Sequence, residues 1–132
     1  MDIYCKVTFM KEQIVMSLVQ YQIQFRIMHW QTTSYARHNA YGGIYSSLDD
    51  NIDGFVESMM GKYGRFELPE GGSEFKIFNL KSLEINSFIT TVTDFLFNLN
   101  QELSPEKDTD LLNIRDEILG DINKLRYLLT LK

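Results

Sequence analysis

The chain has 132 residues, with 13 Lys+Arg against 18 Asp+Glu and a net charge of −5. One domain's worth of sequence is expected, spanning 1–132, and 44% hydrophobic with 23% charged residues excludes a disordered or collagen-like chain. An acidic chain without a basic block excludes phosphate-driven nucleic-acid binding, and the lone Cys5 excludes an internal disulfide framework and a multi-Cys zinc site. No apolar run approaches ~18 residues and the first residues lack a signal-peptide order, so no membrane span and a cytoplasmic setting are expected.

Ile14, Leu18, Tyr21, Phe25 and Met28 are spaced 4, 3, 4, 3. That is one apolar stripe on a helix of roughly 8–32. Tyr41, Ile44, Leu48, Ile52, Phe55 and Met59 predict a second helix from about 37 to 62. Gly42-Gly43 weakens its first turns, by about 1 kcal/mol per glycine relative to alanine. The segment 61–79 breaks the pattern with Gly61, Gly64, Pro69, Gly71 and Gly72. It also carries Phe66, Leu68, Phe75, Ile77 and Phe78, so it should pack on something, a second subunit included.

Ile85, Phe88, Val92, Phe95, Leu99 and Leu103 predict a third helix. Phe88, Phe95 and Phe97 read as core rather than a cofactor box. Ser104-Pro105-Glu106 then reads as a helix start, with a serine N-cap, proline at the first position and acids in the first turn. Leu111, Ile114, Ile118, Ile122, Leu125 and Leu129 follow as a fourth stripe. The expected fold class is all-α. Four helices with one long connection between the second and third match a ferritin-like bundle, although periodicity leaves other four-helix folds open.

Asp49, Asp53 and Glu57 stand at i, i+4, i+8 and form a column of carboxylates. Like charges at that spacing repel by about 0.2–0.5 kcal/mol per pair, which a cation or basic partner would relieve. A solvated acidic face is the plain reading. At roughly 100° per residue, Asp53 lies about 140° from the apolar stripe and Glu57 nearly opposite it. Neither points easily into its own core, so further metal ligands would come from another chain. His29 and His38 are each, taken singly, more often structural than ligating. Two imidazoles and two carboxylates are nevertheless a credible Fe(II) set. A single-chain di-iron site is excluded, because neither histidine has Glu three residues before it. Glu70-Gly71-Gly72-Ser73 is not a phosphate loop, since no Gly-Lys-Ser/Thr follows.

His29-Trp30-Gln31, then His38, then Asp53 fifteen residues on and Glu57 four further, resembles the Dps proteins, or mini-ferritins. The stretches 107–112 and 121–125 resemble that family's last helix, so the likeness covers most of the chain. The resemblance implies a ferroxidase centre built between two subunits. His29 of one copy would join Asp53 and Glu57 of the other around a first iron, and His38 with Glu57 would hold a second. Trp30 would lie close enough to donate an electron. The implied activity is oxidation of Fe(II) by peroxide or oxygen, with ferric iron stored in a homo-oligomeric shell, a dodecamer in the family. Two departures stand out. Gly42 replaces the usual Asp four residues after the second His, and the loop between the histidines is three residues shorter. The Lys/Arg-rich tail that binds DNA in some members is also missing, since residues 1–13 hold only Lys6 and Lys11. The alternative expectation is a ferritin-like structural or assembly protein with a degenerate metal site and no redox activity.

Overall fold

The computed structural model describes the backbone from Ile3 to Lys132 and the side chains from Lys11 onward; the side chains of Cys5 and Lys6 lie outside the described residues. Helices α1 (Ile3–Gln31), α2 (Tyr35–Tyr63), α3 (Ile85–Glu102) and α4 (Thr109–Leu128) make up the fold, with a short 3-10 turn at Leu80–Ser82. Among the described residues there is no strand, and the protein is all-α. No helix among them is long and apolar enough to cross a membrane.

The turn between α1 and α2 is short because both ends are capped. Thr32 N–H donates to the Met28 carbonyl at 3.1 Å. Ser34 adopts extended backbone and its hydroxyl accepts from Arg37 N–H at 3.2 Å, a serine N-cap. That cap starts α2 at Tyr35, two residues before the apolar stripe alone predicts. α1 and α2 then run antiparallel from Lys11 to the turn. Lys11 reaches residues 63–65, Gln22 reaches Asp49 midway, and His29 meets His38 at the turn.

The segment 64–84 returns the chain along α1 to the histidine end. Ser73 Oγ donates to Glu12 Oε1 at 3.1 Å and Gln20 Nε2 to the Lys76 carbonyl at 3.2 Å. The Gln24 amide both donates to the Phe78 carbonyl and accepts from Phe78 N–H, each at 2.9 Å. Gln31 does the same with Asn79 Oδ1 and Leu80 N–H. The expectation that this segment's aromatics anchor it holds for Phe66, which packs on the core. Leu68, Phe75 and Phe78 are exposed. The glutamine ladder, not apolar packing, fixes that part, because an extended backbone offers unpaired N–H and C=O groups that must find partners.

α3 therefore starts where α1 ends and runs antiparallel to it, with Phe88 against Phe25 at 5.1 Å between ring centroids and Phe95 against Tyr21 at 5.4 Å. α4 runs back between α2 and α3. Asn51 Nδ2 donates to Asp121 Oδ2 at 3.3 Å, and Arg115 Nη1 to the Leu96 carbonyl at 2.8 Å. The four helices close one core. All six residues of the α2 stripe are buried, and Phe25, Ile89, Leu111 and Ile122 have no exposed surface. Each such side chain contributes about 1.5–3 kcal/mol.

Ser104-Pro105-Glu106 is not the start of α4. The Ser104 hydroxyl does accept from Glu106 and Lys107 N–H, as an N-cap would, but the turn lasts only to Asp108. Asp108 is fully buried and leaves the helical region at φ −112°, ψ 32°. Its carboxylate accepts from Ser104 N–H at 2.7 Å, from Lys62 Nζ at 3.1 Å and, in a short hydrogen bond, from the Tyr63 hydroxyl. Those long-range partners hold it out of the helix, and α4 begins one residue later.

Candidate metal centre

The three-residue turn brings two helix ends together so closely that the two imidazoles stack. The His29 and His38 ring centroids are 3.8 Å apart and the planes differ by 20°. Each ring is tied to the other's backbone. His29 Nδ1 lies 2.7 Å from the His38 carbonyl, and His38 Nδ1 lies 2.9 Å from the His29 carbonyl. A carbonyl oxygen only accepts, so each Nδ1 carries the proton and donates. In the neutral pair each Nε2 therefore keeps its lone pair, the form in which imidazole ligates metals.

Gly42 explains how His29 is seated. A Cβ on Gly42 would lie 2.9 Å from both His29 Cε1 and Nδ1, closer than side chains approach. The imidazole edge rests where any other residue's side chain would begin. The carboxylate missing at this position and the seating of His29 are thus one structural feature. Tyr41, one residue earlier, faces the core, where burial pushes its phenol pKa up against the opposing pull of Arg37.

A groove of about 360 Å³ opens beside His29, lined by Arg26, Asn39, Gly42, Gly43, Tyr45 and Ser46. It contains no carboxylate. Arg26 is clamped between two rings, 4.7 Å from Trp30 and 4.4 Å from Tyr45, an arrangement that cation–π attraction favours. Trp30 is 61% exposed, so this indole lies on the surface beside the histidines rather than in the core. Arg26 and Tyr45 escaped notice in the sequence. The i, i+4 spacing of Arg26 and Trp30 was the available signal, whereas Tyr45 depends on helix pairing.

Asp53 and Glu57 are exposed on α2, and neither makes a side-chain hydrogen bond or ion pair with another described residue. Asp49, at the head of the column, accepts from Gln22 Nε2 at 3.0 Å and is tied to α1. The histidines and Asp53 are far apart within one chain. Fifteen residues of helix separate His38 from Asp53, about 22 Å along the axis. Accordingly, no group of three or more His, Cys, Asp or Glu among the described residues could hold a metal ion within the single chain.

Fold and site define an all-α, four-helix protein with a paired-histidine cluster at one end of α2 and free carboxylates further along it. Residues 29–129 match the Family of unknown function (DUF5856), and the chain belongs to that family. It is also similar to the "Uncharacterized 14.6 kDa protein in mobD-ri intergenic region" of Enterobacteria phage T4, with 31% identity over 115 residues, covering 87% of this chain and 84% of the relative. No solved structure matches this chain.

Proposed function

We propose that the chain is a Dps-like mini-ferritin. It binds Fe(II) between two-fold-related copies, lets peroxide or oxygen oxidise it, and keeps the ferric product inside a homo-oligomeric shell. The observation that carries this reading is the His29–His38 pair, locked by reciprocal Nδ1–H···O=C bonds with both Nε2 lone pairs free. On the same helix, Asp53 and Glu57 are exposed and unpaired among the described residues. An antiparallel two-fold pairing along α2 would set the histidine end of one copy against the carboxylates of the other. The path of the chain supports the ferritin-like reading, since one long connection joins two parallel helices, α2 and α3, as in that bundle class.

Each part has a physical role. Carboxylates neutralise the ion and favour Fe(III), imidazole nitrogen completes its coordination, and Trp30 stands near enough to give up an electron. An acidic inner surface would draw cations in. Titration of the metal-free protein with Fe(II), followed by absorbance after peroxide and by native mass, tests the reading. Rapid formation of soluble ferric product in a large shell, lost in Asp53→Ala, is expected. A well-formed oligomer that oxidises no iron above buffer would sink it. One observation favours the second reading, an assembly protein with a degenerate site: the groove beside His29 holds no carboxylate of its own.

A further inference from the structure

We propose that the groove where the ends of α2, α3 and α4 meet binds the phosphate group of a small organic phosphomonoester, with Arg37 and Arg126 as its anion clamp. The inference goes beyond the iron reading and does not depend on it, since this groove shares no lining residue with the one beside His29.

The groove holds about 470 Å³. Arg37 enters it from the first turn of α2, Ile85 and Asn86 from the start of α3, and Arg126 from the last turn of α4. Two guanidiniums thus share one groove on a chain of net charge −5. Neither makes an ion pair with a carboxylate among the described residues. The side chain that Arg37 meets is the buried Tyr41 phenol, which burial keeps neutral. Arg126 Nη2 donates to Thr93 Oγ1 at 3.3 Å. A guanidinium carries five N–H donors, so one neutral partner orients each group and leaves further donors for a ligand.

Arg37 is the more telling of the two. Ser34 caps α2, so Arg37 stands at the third helical position. That is where a glutamate or glutamine completes a capping box. α2 has no acid in its first turn, and a cation there works against the helix dipole. An anion held on Arg37 reverses that sign. Glu84 is the one carboxylate lining the groove, and it is already engaged. Its oxygens accept from Asn86 and Ser87 N–H at 3.3 and 2.7 Å and cap α3. The Thr130 hydroxyl is likewise spent, donating to the Tyr127 carbonyl at 2.7 Å. The two arginines, with the Asn86 amide at the rim, remain to meet a ligand.

Charge and shape select that ligand. A phosphomonoester dianion balances two guanidiniums, and its three free oxygens accept from both forks at once. A carboxylate has one charge and two oxygens, which a single fork satisfies. Leu83, Ile85 and Leu129 form an apolar wall beside the arginines, which suits an organic ester group rather than bare phosphate.

Phosphorus NMR titration of the protein with phenyl phosphate, in low-chloride buffer, tests this. One phenyl phosphate per chain is expected. Inorganic phosphate should compete about 10-fold more weakly, because it has no ring to lay on the apolar wall. Benzoate keeps the ring but carries one charge, and it should also compete about 10-fold more weakly. Arg37→Gln and Arg126→Gln keep a neutral donor and should each weaken phenyl phosphate binding by about 10-fold. Saturating phenyl phosphate should raise the urea midpoint of the wild type and leave that of Arg37→Gln in place. Wild-type protein that binds no phenyl phosphate, inorganic phosphate or benzoate that competes as well as phenyl phosphate binds, or two variants that bind like wild type would each overturn the inference. The competition arms are read on the wild type, so they decide the matter even where a variant fails to fold.

Discussion

The two ends of α2 are both fastened by side-chain hydrogen bonds, yet they are fastened to different effect. At the C-terminal end Lys11, Lys62, Tyr63 and Asp108 are bound to one another or to backbone carbonyls. Lys11 Nζ donates to the carbonyls of Tyr63, Gly64 and Arg65 at 2.9, 3.0 and 3.0 Å, closing the end of the helix. Next to it Asp108 accepts from Ser104, Lys62 and Tyr63. At the N-terminal end His29 and His38 each use one ring nitrogen and leave the other open. Trp30 stays exposed, and Arg26 is held by rings rather than by a carboxylate. A closed polar knot serves stability. The imidazole knot uses one ring nitrogen of each histidine and leaves the other without a hydrogen bond among the described residues.

That contrast is broken most severely at Asp108. Asp108→Ala removes a fully buried carboxylate and strands the Tyr63 hydroxyl, the Ser104 N–H and the inner side of Lys62. Loss of about 3 kcal/mol is expected, since removing one partner of a buried charged network costs about 3–5 kcal/mol and Lys62 retains some access to water. Urea denaturation measures it, and a midpoint within error of wild type would mean that the knot is not structural. Lys11→Met keeps the aliphatic stem and deletes the three donated bonds. The expected loss is about 1–2 kcal/mol, with faster amide exchange confined to the last turn of α2 and the residues after it. His29→Phe, in contrast, should cost only about 1 kcal/mol, the hydrogen bond to the His38 carbonyl.

How much of this was legible beforehand differs between the two ends in the same way. The apolar stripes were readable because burial follows a local period: Ile14, Leu18, Phe25 and Met28 on α1 and Leu111, Ile118, Ile122 and Leu125 on α4 are all buried. His29 and His38 were visible as candidates through their spacing to Asp53 and Glu57, and the exposure of those carboxylates followed from helix angle. The stacking of the imidazoles and the reason for Gly42 were not readable, because both depend on how α1 crosses the first turns of α2. Asp108 was missed for a related reason. Nothing local marks it as buried, and its partners Lys62 and Tyr63 lie on another helix. Lys11, counted as one of two scattered N-terminal cations, proved to be the cap of α2.

A smaller effect is expected on the acid side of the same knot. A hydrogen bond from Lys62 holds the Asp110 carboxyl below its ordinary value of 3.8. A depressed carboxyl contributes stability that is present above its unfolded pKa and is lost as pH falls through the folded one, here below 3.8. Lys62 moves the other way: desolvation pulls its pKa down, but hydrogen bonds to Asp110 and Asp108 more than offset this and raise it above 10.5. Its contribution is therefore present below 10.5 and lost as pH rises beyond it. The contribution of this Lys62–Asp110 pair should be flat between these limits. Asp110 is half exposed, so Asp110→Asn should cost about 0.5 kcal/mol or less at neutral pH. It should also flatten the fall below pH 3.8 in low salt, and 1 M salt should erase the difference between variant and wild type. A variant that falls as steeply as wild type would assign the acid transition to other carboxylates.

The smallest net change in stability is expected where the consequence for the site is largest. Gly42→Ala gains about 1 kcal/mol of helix propensity. It also places a Cβ 2.9 Å from His29 Cε1 and Nδ1, so the ring must move off its seat. Losing the hydrogen bond to the His38 carbonyl costs about 1 kcal/mol. The two terms nearly cancel, and the urea midpoint should stay close to wild type. The nitrogen-15 NMR signal of His29 Nδ1–H should nevertheless vanish or shift, while that of His38, which donates to a carbonyl on the other helix, should persist. Gly43→Ala is the control, because nothing lies within 4 Å of its added Cβ. It should gain about 1 kcal/mol and leave both histidine signals in place. If Gly42→Ala behaved like Gly43→Ala, stabilised with the His29 signal intact, the imidazole would not be resting on the glycine, and the open end of α2 would owe its geometry to the stack alone.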